Sequence, residues 1–212
     1  MMQVDEEKKE PAPLVFSQDV REMDMMSAFP CHNGCCMIQR EPYVKKVHDS
    51  VIRRRMMKAG AFMYDPIEDR VLLVQSRGRL WGCPKGTSNV DESIVHCAIR
   101  EVKEETGLDI EEKDFKRVIK VQNKAVYYYI ERPVCDVQIQ NTVPDNDANG
   151  ICWIKPTCLE NGIRNGDISV SQHCRALFRK ILKIVLPEHS TQERLRYKSR
   201  GLKILSVQIK QR

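Results

Sequence analysis

The sequence predicts one α/β domain with an extension at each end. Two observations lead to this fold class. Short apolar runs bounded by turn residues recur along the chain and predict strands, and an amphipathic helical pattern stands between two groups of them. At 212 residues the chain is long enough for one packed domain and too short for two ordinary ones.

The first half of the chain contains two predicted strands and one predicted helix. The strands are residues 58–64 and 70–75, and a turn that contains Asp and Pro joins them. A loop rich in Gly and Pro follows at 82–86. Residues 92–106 repeat apolar side chains at three- and four-residue spacing, which predicts an amphipathic helix, and Gly107 closes it.

The second half adds three strands and a basic helix. The strands are residues 115–122, 124–130 and 151–154, and the second of them contains three consecutive tyrosines. Residues 172–186 predict an amphipathic helix that stops before Pro187. Its apolar side consists of Ala176, Leu177, Ile181 and Ile184. The last 25 residues fit either a strand-like appendage or a further helix.

Positive charge is concentrated at the C-terminal end. Residues 175–212 contain eleven Lys or Arg and two acids, an excess larger than the net charge of +6, so the rest of the chain is slightly acidic. A basic segment beside an acidic region favours an anionic partner, with nucleic acid the leading candidate. A solvated, lysine- and arginine-rich helix face is the alternative.

Cysteine usage and apolar run lengths predict a cytoplasmic protein without a membrane partner. The nine cysteines are odd in number and scattered, which fits reduced thiols better than a disulfide framework. The longest apolar runs are too short to span a bilayer. Residues 1–10 are charged and unlike a secretory signal.

A compact group of thiol and imidazole side chains begins at Cys31. It continues with His32, Cys35 and Cys36, and His48 follows at a distance. Because sulfur and imidazole are the ligands that zinc prefers, Cys31, Cys35 and His48 are candidate zinc ligands. The C-x3-C-C spacing is not one of the common paired zinc patterns, and thiols without a metal are the alternative.

One motif carries the chemistry. From Gly86 the chain reads GTSNVDESIVHCAIREVKEETGL, which satisfies G-x5-E-x7-R-E-U-x-E-E-x-G-U at every fixed position, U being a bulky apolar residue. On a helix Glu101, Glu104 and Glu105 project from one side, and such closely spaced carboxylates suit Mg²⁺ or Mn²⁺. Arg100 can hold Glu104 one turn away. Gly86 lets the loop backbone approach the metal or the phosphates, because it has no side chain.

The motif is the Nudix box, and the chain resembles the Nudix hydrolase family. The resemblance implies an α/β/α sandwich with a mixed central sheet, formed by a core at residues 51–170. Residues 1–50 are then an N-terminal extension with the Cys/His cluster. Residues 171–212 are a basic C-terminal helical segment, packed on or appended to the core.

The family also implies metal-assisted hydrolysis of a pyrophosphate bond, with two or more Mg²⁺ or Mn²⁺ ions. The metal ligands that it implies are Glu101, Glu104, Glu105 and Gly86. Its catalytic residues are Glu104 and Glu105, with Arg100 beside them.

The flanks of the box are similar to one branch of the family. Residues 80–86 and 96–107 resemble the catalytic subunit of the eukaryotic mRNA-decapping enzyme and the decapping Nudix proteins of large DNA viruses. This implies capped mRNA as substrate, cleaved to methylated guanosine diphosphate and 5′-monophosphate RNA. For a viral protein it implies the infected-cell cytoplasm or the virion. Protein activators are not indicated.

Two alternatives to decapping stay open. The first is hydrolysis of dinucleotide polyphosphates or diphosphoinositol polyphosphates, whose hydrolases share parts of these flanks. The second is a weakly active, RNA-binding Nudix fold.

Four residues are candidates for contact with the substrate. Lys85 can meet a phosphate, and Trp81 and Tyr128 can stack on a base. Core packing is the usual role of strand aromatics, and we expect it for at least two of the three consecutive tyrosines. Asp147 stands where the decapping branch has a glutamate, before a strand that ends in Trp153; a polar turn is the alternative.

The decapping branch also carries a basic helix after its core, which implies RNA-backbone contacts for the predicted helix at 172–186. The candidate side chains are Arg175, Arg179, Lys180 and Lys183.

Overall fold

The computed structural model describes residues 27–43, 57–122, 124–140, 142–143 and 146–183. The strands, in chain order, are β1 (Ser27–Pro30), β2 (Met37–Arg40), β3 (Lys58–Asp65), β4 (Arg70–Ser76), β5 (Leu80–Gly82), β6 (Lys85–Thr87), β7 (Arg117–Val121), β8 (Ala125–Glu131), β9 (Ala148–Ile154) and β10 (Ser169–Val170). The helices are α1 (Ile94–Thr106), α2 (Pro156–Asn165) and α3 (Gln172–Ile181).

The strands form one mixed sheet. Its order is β1-β2-β9-β4-β3-β8-β7, with β5 beside β4 and β10, and β6 beside β3. β3 and β8 run parallel, whereas β3–β4, β4–β9 and β7–β8 are antiparallel pairs. The short β6 joins the edge of β3 at Lys58 to Gly60 and carries the glycine that opens the sequence motif.

Side chains of the central strands alternate between two buried layers. In β4, Leu72 and Val74 pack on the layer that contains Val102 of α1. The next side chains in the strand, Val71 and Leu73, face the opposite layer, to which α2 and α3 contribute. Because a strand turns successive side chains to opposite faces, helices cover both sides of the sheet. The predicted α/β/α sandwich with a mixed sheet is confirmed.

Helix α1 has a defined cap at each end. The Ser93 hydroxyl accepts a hydrogen bond from the His96 amide at 3.1 Å, so the helix begins at Ile94, two residues later than the apolar pattern predicts. At the other end Gly107 adopts φ 76°, and its amide donates to the Lys103 carbonyl at 2.9 Å. The predicted end at Gly107 is correct.

The two ends of the described chain both pack on the core. β2 pairs with β9 through Gln39 and Arg40, so the N-terminal hairpin extends the main sheet. α3 buries Cys174, Leu177 and Phe178 in the layer opposite α1. Of the apolar side predicted for this helix, Leu177 is buried and Ala176 and Ile181 are partly buried, whereas Ile184 lies outside the described residues.

Several elements of the fold were not predicted, among them the β1–β2 hairpin and the two-residue strand β10. Strands β5 and β6 flank what the sequence suggested was only a loop, and the entire helix α2 follows β9. None of the helices in the described ranges has the length and apolar character needed to cross a membrane.

Candidate active site

The three carboxylates among the four predicted metal ligands lie where α1 meets β6, the strand that carries the fourth, Gly86. Glu101 and Glu105 are buried, with 9% and 5% of their surface exposed, whereas Glu104 is partly exposed. The backbone amide of Lys85 donates to Glu105 Oε2 at 2.7 Å, which ties β6 to the helix. The i, i+3, i+4 spacing therefore brings the carboxylates together as the motif predicts.

Gly86 allows the closest approach in the site. A Cβ atom added to it would lie 2.0–2.1 Å from the carboxylate atoms of Glu101. That carboxylate occupies the space that any other residue at position 86 would fill. The glycine in the motif is thus explained by contact with Glu101.

Arg100 holds the acidic group together. Its guanidinium donates to both oxygens of Glu92 at 2.7 and 2.9 Å, and to the Thr87 carbonyl at 3.2 Å. One of its terminal nitrogens donates to Glu101 and Glu104, each at 2.8 Å. The contact with Glu104 is present as expected, and Arg100 additionally fixes the carboxylate of Glu101.

Burial changes the protonation of the two inner carboxylates. It raises the pKa of Glu101 to about 7, against the opposing charge of Arg100. It also raises the pKa of Glu105 well above its usual range, although Lys85 acts in the opposite direction. Carboxylates are costly to bury without a compensating cation.

A divalent cation fits this group of side chains. All the side-chain donors are hard oxygens, which Mg²⁺ and Mn²⁺ prefer, and the missing side chain of Gly86 lets the Glu101 carboxylate lie against the loop backbone. The residues that would hold the ions are Glu101, Glu104, Glu105 and the backbone of Gly86.

A basic group faces the acidic one. Burial and repulsion from Lys85 and Arg77 lower the pKa of Lys58. Burial acts to lower the pKa of Lys85, but Cys174, Glu105 and Asp147 outweigh it and raise the pKa, so its ammonium stays charged. Both lysines interact electrostatically with carboxylates, Lys58 with Glu101 and Lys85 with Glu105.

Helix α3 contributes His173 to the same region. Burial and the nearby Lys85, Lys58 and Lys124 lower its pKa, so the imidazole is neutral at pH 7. Its Nδ1 atom is buried and has no hydrogen-bond partner among the residues that the structure describes. A neutral imidazole therefore lies close to three lysines, of which Lys85 and Lys58 also interact with the carboxylates.

Asp147 lies at the start of β9, at the edge of this site. It pairs with Arg77 at 2.8 Å and acts electrostatically on Glu105 and Lys85. The preceding Asn146 donates to the main-chain carbonyl of Glu104 at 2.7 Å. The segment before β9 is thus bonded to the helix that carries the carboxylates, which brings Asp147 to the predicted region.

The two predicted stacking residues are not available to a substrate in this structure. Trp81 is 2% exposed and packs in the layer of α2 and α3. Tyr128 is 7% exposed and stacks on Phe115 with ring centroids 4.2 Å apart. Both predictions need correction, because these strand aromatics fill the core. Tyr127 is also buried, so core packing of two of the three tyrosines is as expected.

The candidate RNA-binding side chains all lie on or just beyond α3. Lys180 and Lys183 are exposed, as is Arg179, whereas Arg175 is partly buried and donates to the Val170 carbonyl at 3.3 Å. Arg175, Arg179 and Lys180 share α3 with His173, and Lys183 follows the helix, so a basic surface continues outward from the site.

The candidate zinc ligands are brought together only in part. Cys31 and Cys35 lie 3.8 Å apart between their sulfur atoms, while His48 is outside the described residues. Two further cysteines, Cys36 and Cys158, join them. Cys158 comes from α2, 123 residues beyond Cys35, and no local spacing pattern could have indicated it.

Sequence reasoning also missed three residues at the carboxylate site. Glu92 is a fixed position of the motif, and its role as the main partner of Arg100 could have been inferred from that position. Lys58 and His173 had no such signal, because each stands outside the motif and reaches the site only through the fold.

Fold and site together define a class of protein: a hydrolase that uses a carboxylate-rich helix and a glycine loop to act on phosphoanhydrides with a divalent cation. The chain belongs to the Nudix family, since residues 54–174, more than half of its length, match the NUDIX domain. It is a Nudix hydrolase that acts on pyrophosphate bonds, and enzymes of this family use divalent metals.

Several curated proteins are similar in sequence. Protein 111R of Invertebrate iridescent virus 3, named as a hydrolase, is 34% identical over 136 residues, 63% of this chain and 80% of that protein. The mRNA-decapping enzyme subunit 2 of Arabidopsis thaliana is 37% identical over 84 residues, 37% of this chain and 22% of that protein. The m7GpppN-mRNA hydrolase dcap-2 of Caenorhabditis elegans is 38% identical over 97 residues, 40% of this chain and 12% of that protein. The chain spans less than a quarter of these two decapping proteins.

Solved structures of the family are more distant. A C. elegans Ap4A hydrolase complex is 23% identical, with a TM-score of 0.41 over 59% of this chain and 96% of that one. A Francisella tularensis bifunctional NMN adenylyltransferase/ADP-ribose pyrophosphatase, complexed with AMP and a manganese ion, is 18% identical, with a TM-score of 0.45 over 63% of this chain and 43% of that one.

Proposed function

We propose that this Nudix hydrolase removes the 5′ cap of mRNA. The reaction adds water across the pyrophosphate linkage of the capped end and releases methylated guanosine diphosphate and 5′-monophosphate RNA. The observation that carries the proposal is the similarity to decapping proteins, 37–38% identical over 84 and 97 residues, in separate organisms.

The charges around the site support an extended anionic substrate. Lys58, Lys85 and the exposed Lys124 surround His173 next to the carboxylates. Beyond His173, α3 carries the exposed Lys180, and the exposed Lys183 follows two residues after the helix ends. A small dinucleotide would occupy the inner cations alone, whereas an RNA chain would also use the outer ones. Phosphate contacts of this kind set affinity rather than sequence preference.

In the proposed mechanism the residues of this chain bind, orient and accept a proton. Divalent ions held by Glu101, Glu104, Glu105 and Gly86 would neutralise the pyrophosphate and make water more acidic. Arg100 keeps Glu101 and Glu104 in position, which leaves little reorganisation for the reaction itself. Lys85 contributes a charged ammonium toward the phosphates. Glu104 and Glu105 are the pair we regard as indispensable, with one of them accepting the proton of the attacking water.

A product assay tests the proposal. Capped RNA labelled in the cap is incubated with Mg²⁺ or Mn²⁺, and the released nucleotide is identified by chromatography. We expect methylated guanosine diphosphate from the wild type and a loss of at least about 10²-fold with Glu105→Gln. Unchanged hydrolysis by Glu105→Gln would refute the residue assignment. Cleavage of dinucleotide or diphosphoinositol polyphosphates, with capped RNA left intact, would refute decapping and leave the Nudix activity in place.

The dependence on RNA length tests the role of α3. Lys180→Glu with Lys183→Glu should weaken hydrolysis of long capped RNA and leave hydrolysis of free cap analogue unchanged. The matched control is Lys113→Glu. Lys113 pairs with Glu111 and lies two residues before Phe115, which packs on the α1 side of the sheet, away from α3. Equal effects of these variants on long RNA would contradict an RNA-binding role for α3.

Binding without turnover is measured separately with Glu104→Gln by filter binding. Two results together would favour the RNA-binding alternative over an enzyme. The variant would retain its affinity for RNA, and the wild-type protein would hydrolyse capped RNA no faster than the metal ion does without protein.

A further inference from the structure

Four cysteine sulfurs converge at a place that shares no residue with the carboxylate site. The Sγ atoms of Cys31, Cys35, Cys36 and Cys158 all lie within 4.8 Å of one another. The sulfur–sulfur separations are 3.2 Å from Cys35 to Cys158, 3.6 Å from Cys35 to Cys36 and 3.8 Å from Cys31 to Cys35. All four are free thiols in the structure.

These distances match one particular kind of site. Four sulfurs bonded at about 2.3 Å to a tetrahedral zinc ion stand about 3.8 Å from one another. Soft thiolates in a tetrahedral set select zinc over the hard cations that suit the carboxylate site. Because the protein would supply all four ligands, no position would remain for water or substrate, which is the property of a structural site.

The backbone is arranged to support charged sulfurs. The Cys31 amide donates to the Cys36 carbonyl at 2.7 Å and folds the turn between β1 and β2, so that three cysteines point to one centre. The Lys155 amide donates to Cys36 Sγ at 3.4 Å, and the Asn33 side-chain amide donates to Cys158 Sγ at 3.5 Å. Donors to the sulfur atoms are the usual outer support of a thiolate metal site.

A positive charge stands beside the same turn. Arg70 Nη2 donates to the Cys35 carbonyl at 3.0 Å, across from β4. Four thiolates and one Zn²⁺ carry a net charge of −2, and a nearby guanidinium offsets part of it. The turn, the start of α2 and β4 therefore all contribute to the surroundings of the sulfurs.

We propose that Cys31, Cys35, Cys36 and Cys158 bind one zinc ion that fastens the β1–β2 hairpin to helix α2. Each thiol that ligates the metal gives up its proton to solvent. The ion cross-links residues about 120 positions apart, so it contributes most by restricting the unfolded chain. Its effect on the carboxylate site is indirect. β2 pairs with β9, and Glu41 and Asn149 exchange two hydrogen bonds there, two residues from Asp147.

The metal content of the protein tests this directly. The full chain is expressed with zinc in the medium, purified without chelator and measured by elemental analysis. We expect about one zinc per chain in the wild type and in Cys135→Ser, the matched control, because Cys135 is outside the cluster. Cys158→Ser should retain less than half of it. Glu105→Gln should keep its zinc, because the carboxylates take no part.

Spectroscopy on the wild type covers the case in which Cys158→Ser fails to fold. Cobalt exchanged into the protein should give sulfur-to-metal charge-transfer absorption, and X-ray absorption of the zinc form should give four sulfur neighbours. Any one of four results would overturn the proposal. The wild type could lack stoichiometric zinc or contain iron in its place, Cys158→Ser could retain its full zinc, or reduced preparations could contain a disulfide between Cys35 and Cys158.

A hydrogen-exchange comparison checks the structural role. Removing zinc should speed amide exchange in residues 27–43 and at the start of α2, with less change in α1. Equal protection of all three segments in the zinc-loaded and zinc-free proteins would overturn the fastening role.

Discussion

Replacing Gly86 by alanine tests the close approach on which the carboxylate site depends. The added methyl carbon would stand 2.0–2.1 Å from the Glu101 carboxylate, whereas ordinary contact begins at about 3.5 Å. Glu101 must therefore retreat by more than about 1 Å. A displacement of that size costs about 10²-fold in rate when it affects catalytic geometry. Gly86 is not among the residues with positive φ, so alanine fits its backbone and the stability of the fold should change little.

The assay separates the site from the fold. Metal-dependent hydrolysis is measured over a range of Mn²⁺ concentrations, and unfolding is measured by heating. Gly166→Ala is the matched control: its added methyl meets no atom within 4 Å, but its φ of 84° strains an alanine by about 1–2 kcal/mol. We expect Gly86→Ala to lose activity at nearly constant Tm, and Gly166→Ala to lose Tm at constant activity.

A Gly86→Ala protein with wild-type kcat and wild-type Mn²⁺ affinity would refute the reasoning. It would mean that the position of the Glu101 carboxylate is not part of the metal site.

Three further predictions concern Arg100, Glu101 and Asp65. Arg100→Lys should lower the metal-dependent rate about 10–100-fold, because one lysine cannot bind Glu92, Glu101 and Glu104 together. Measuring kcat over a range of Mn²⁺ concentrations tests this prediction, and a rate within twofold of wild type would contradict it. Glu101 has a folded pKa of about 7, raised from 4.5, so without Mg²⁺ the free energy of unfolding should fall as pH rises from about 4.5 to 7, by at most about 3 kcal/mol. Urea unfolding in buffer freed of Mg²⁺ and Mn²⁺ measures this fall, and Glu101→Gln should flatten it. An identical slope in that variant would count against the prediction. Asp65 accepts amide hydrogen bonds from Val134, Ile67 and Glu68, which lower its pKa. Its ionised carboxylate therefore stabilises the fold at pH values above the pKa of the unfolded state, and this stabilisation is lost as pH falls through the lower pKa of the folded state. Asp65→Ala should therefore lower Tm at pH 7 and match the wild type more closely under strong acid, and a Tm difference that does not depend on pH would contradict this.

The carboxylate helix could be predicted from sequence because its signals are local. The apolar repeat of α1, the glycine that ends it and the glutamate spacing all lie within 22 residues. β3, β4 and β8 were likewise long enough to show their pattern. Short pieces carry no such signal: β5 and β6 have three residues each, and β10 has two.

Helix α2 was missed for a different reason. Its sequence, PTCLENGIRN, contains a glycine and two asparagines, which are weak helix formers. The helix forms because Leu159 and Ile163 are buried in the layer shared with α3. Tertiary packing, which the sequence pattern does not display, outweighs propensity here.

The rest of the site depends on which way a side chain points. Trp81 follows a polar loop and could have faced a ligand, yet β5 turns it into the core. Lys58 and His173 come from a strand start and a distant helix, and only the closed fold brings them beside Lys85. Cys158 joins the thiol group in the same way.

The division of the core into two layers has a practical consequence for optical measurements. The chain has two tryptophans, and each is buried on a different face of the sheet: Trp81 with α2 and α3, Trp153 with α1. The Trp153 indole N–H also donates to the Cys135 carbonyl at 3.0 Å, which fixes the orientation of the ring. Intrinsic fluorescence of single-tryptophan variants would therefore report the melting of each layer separately. One tryptophan would report on the layer of the carboxylate helix α1, and the other on the layer that contains α2 and the basic helix α3.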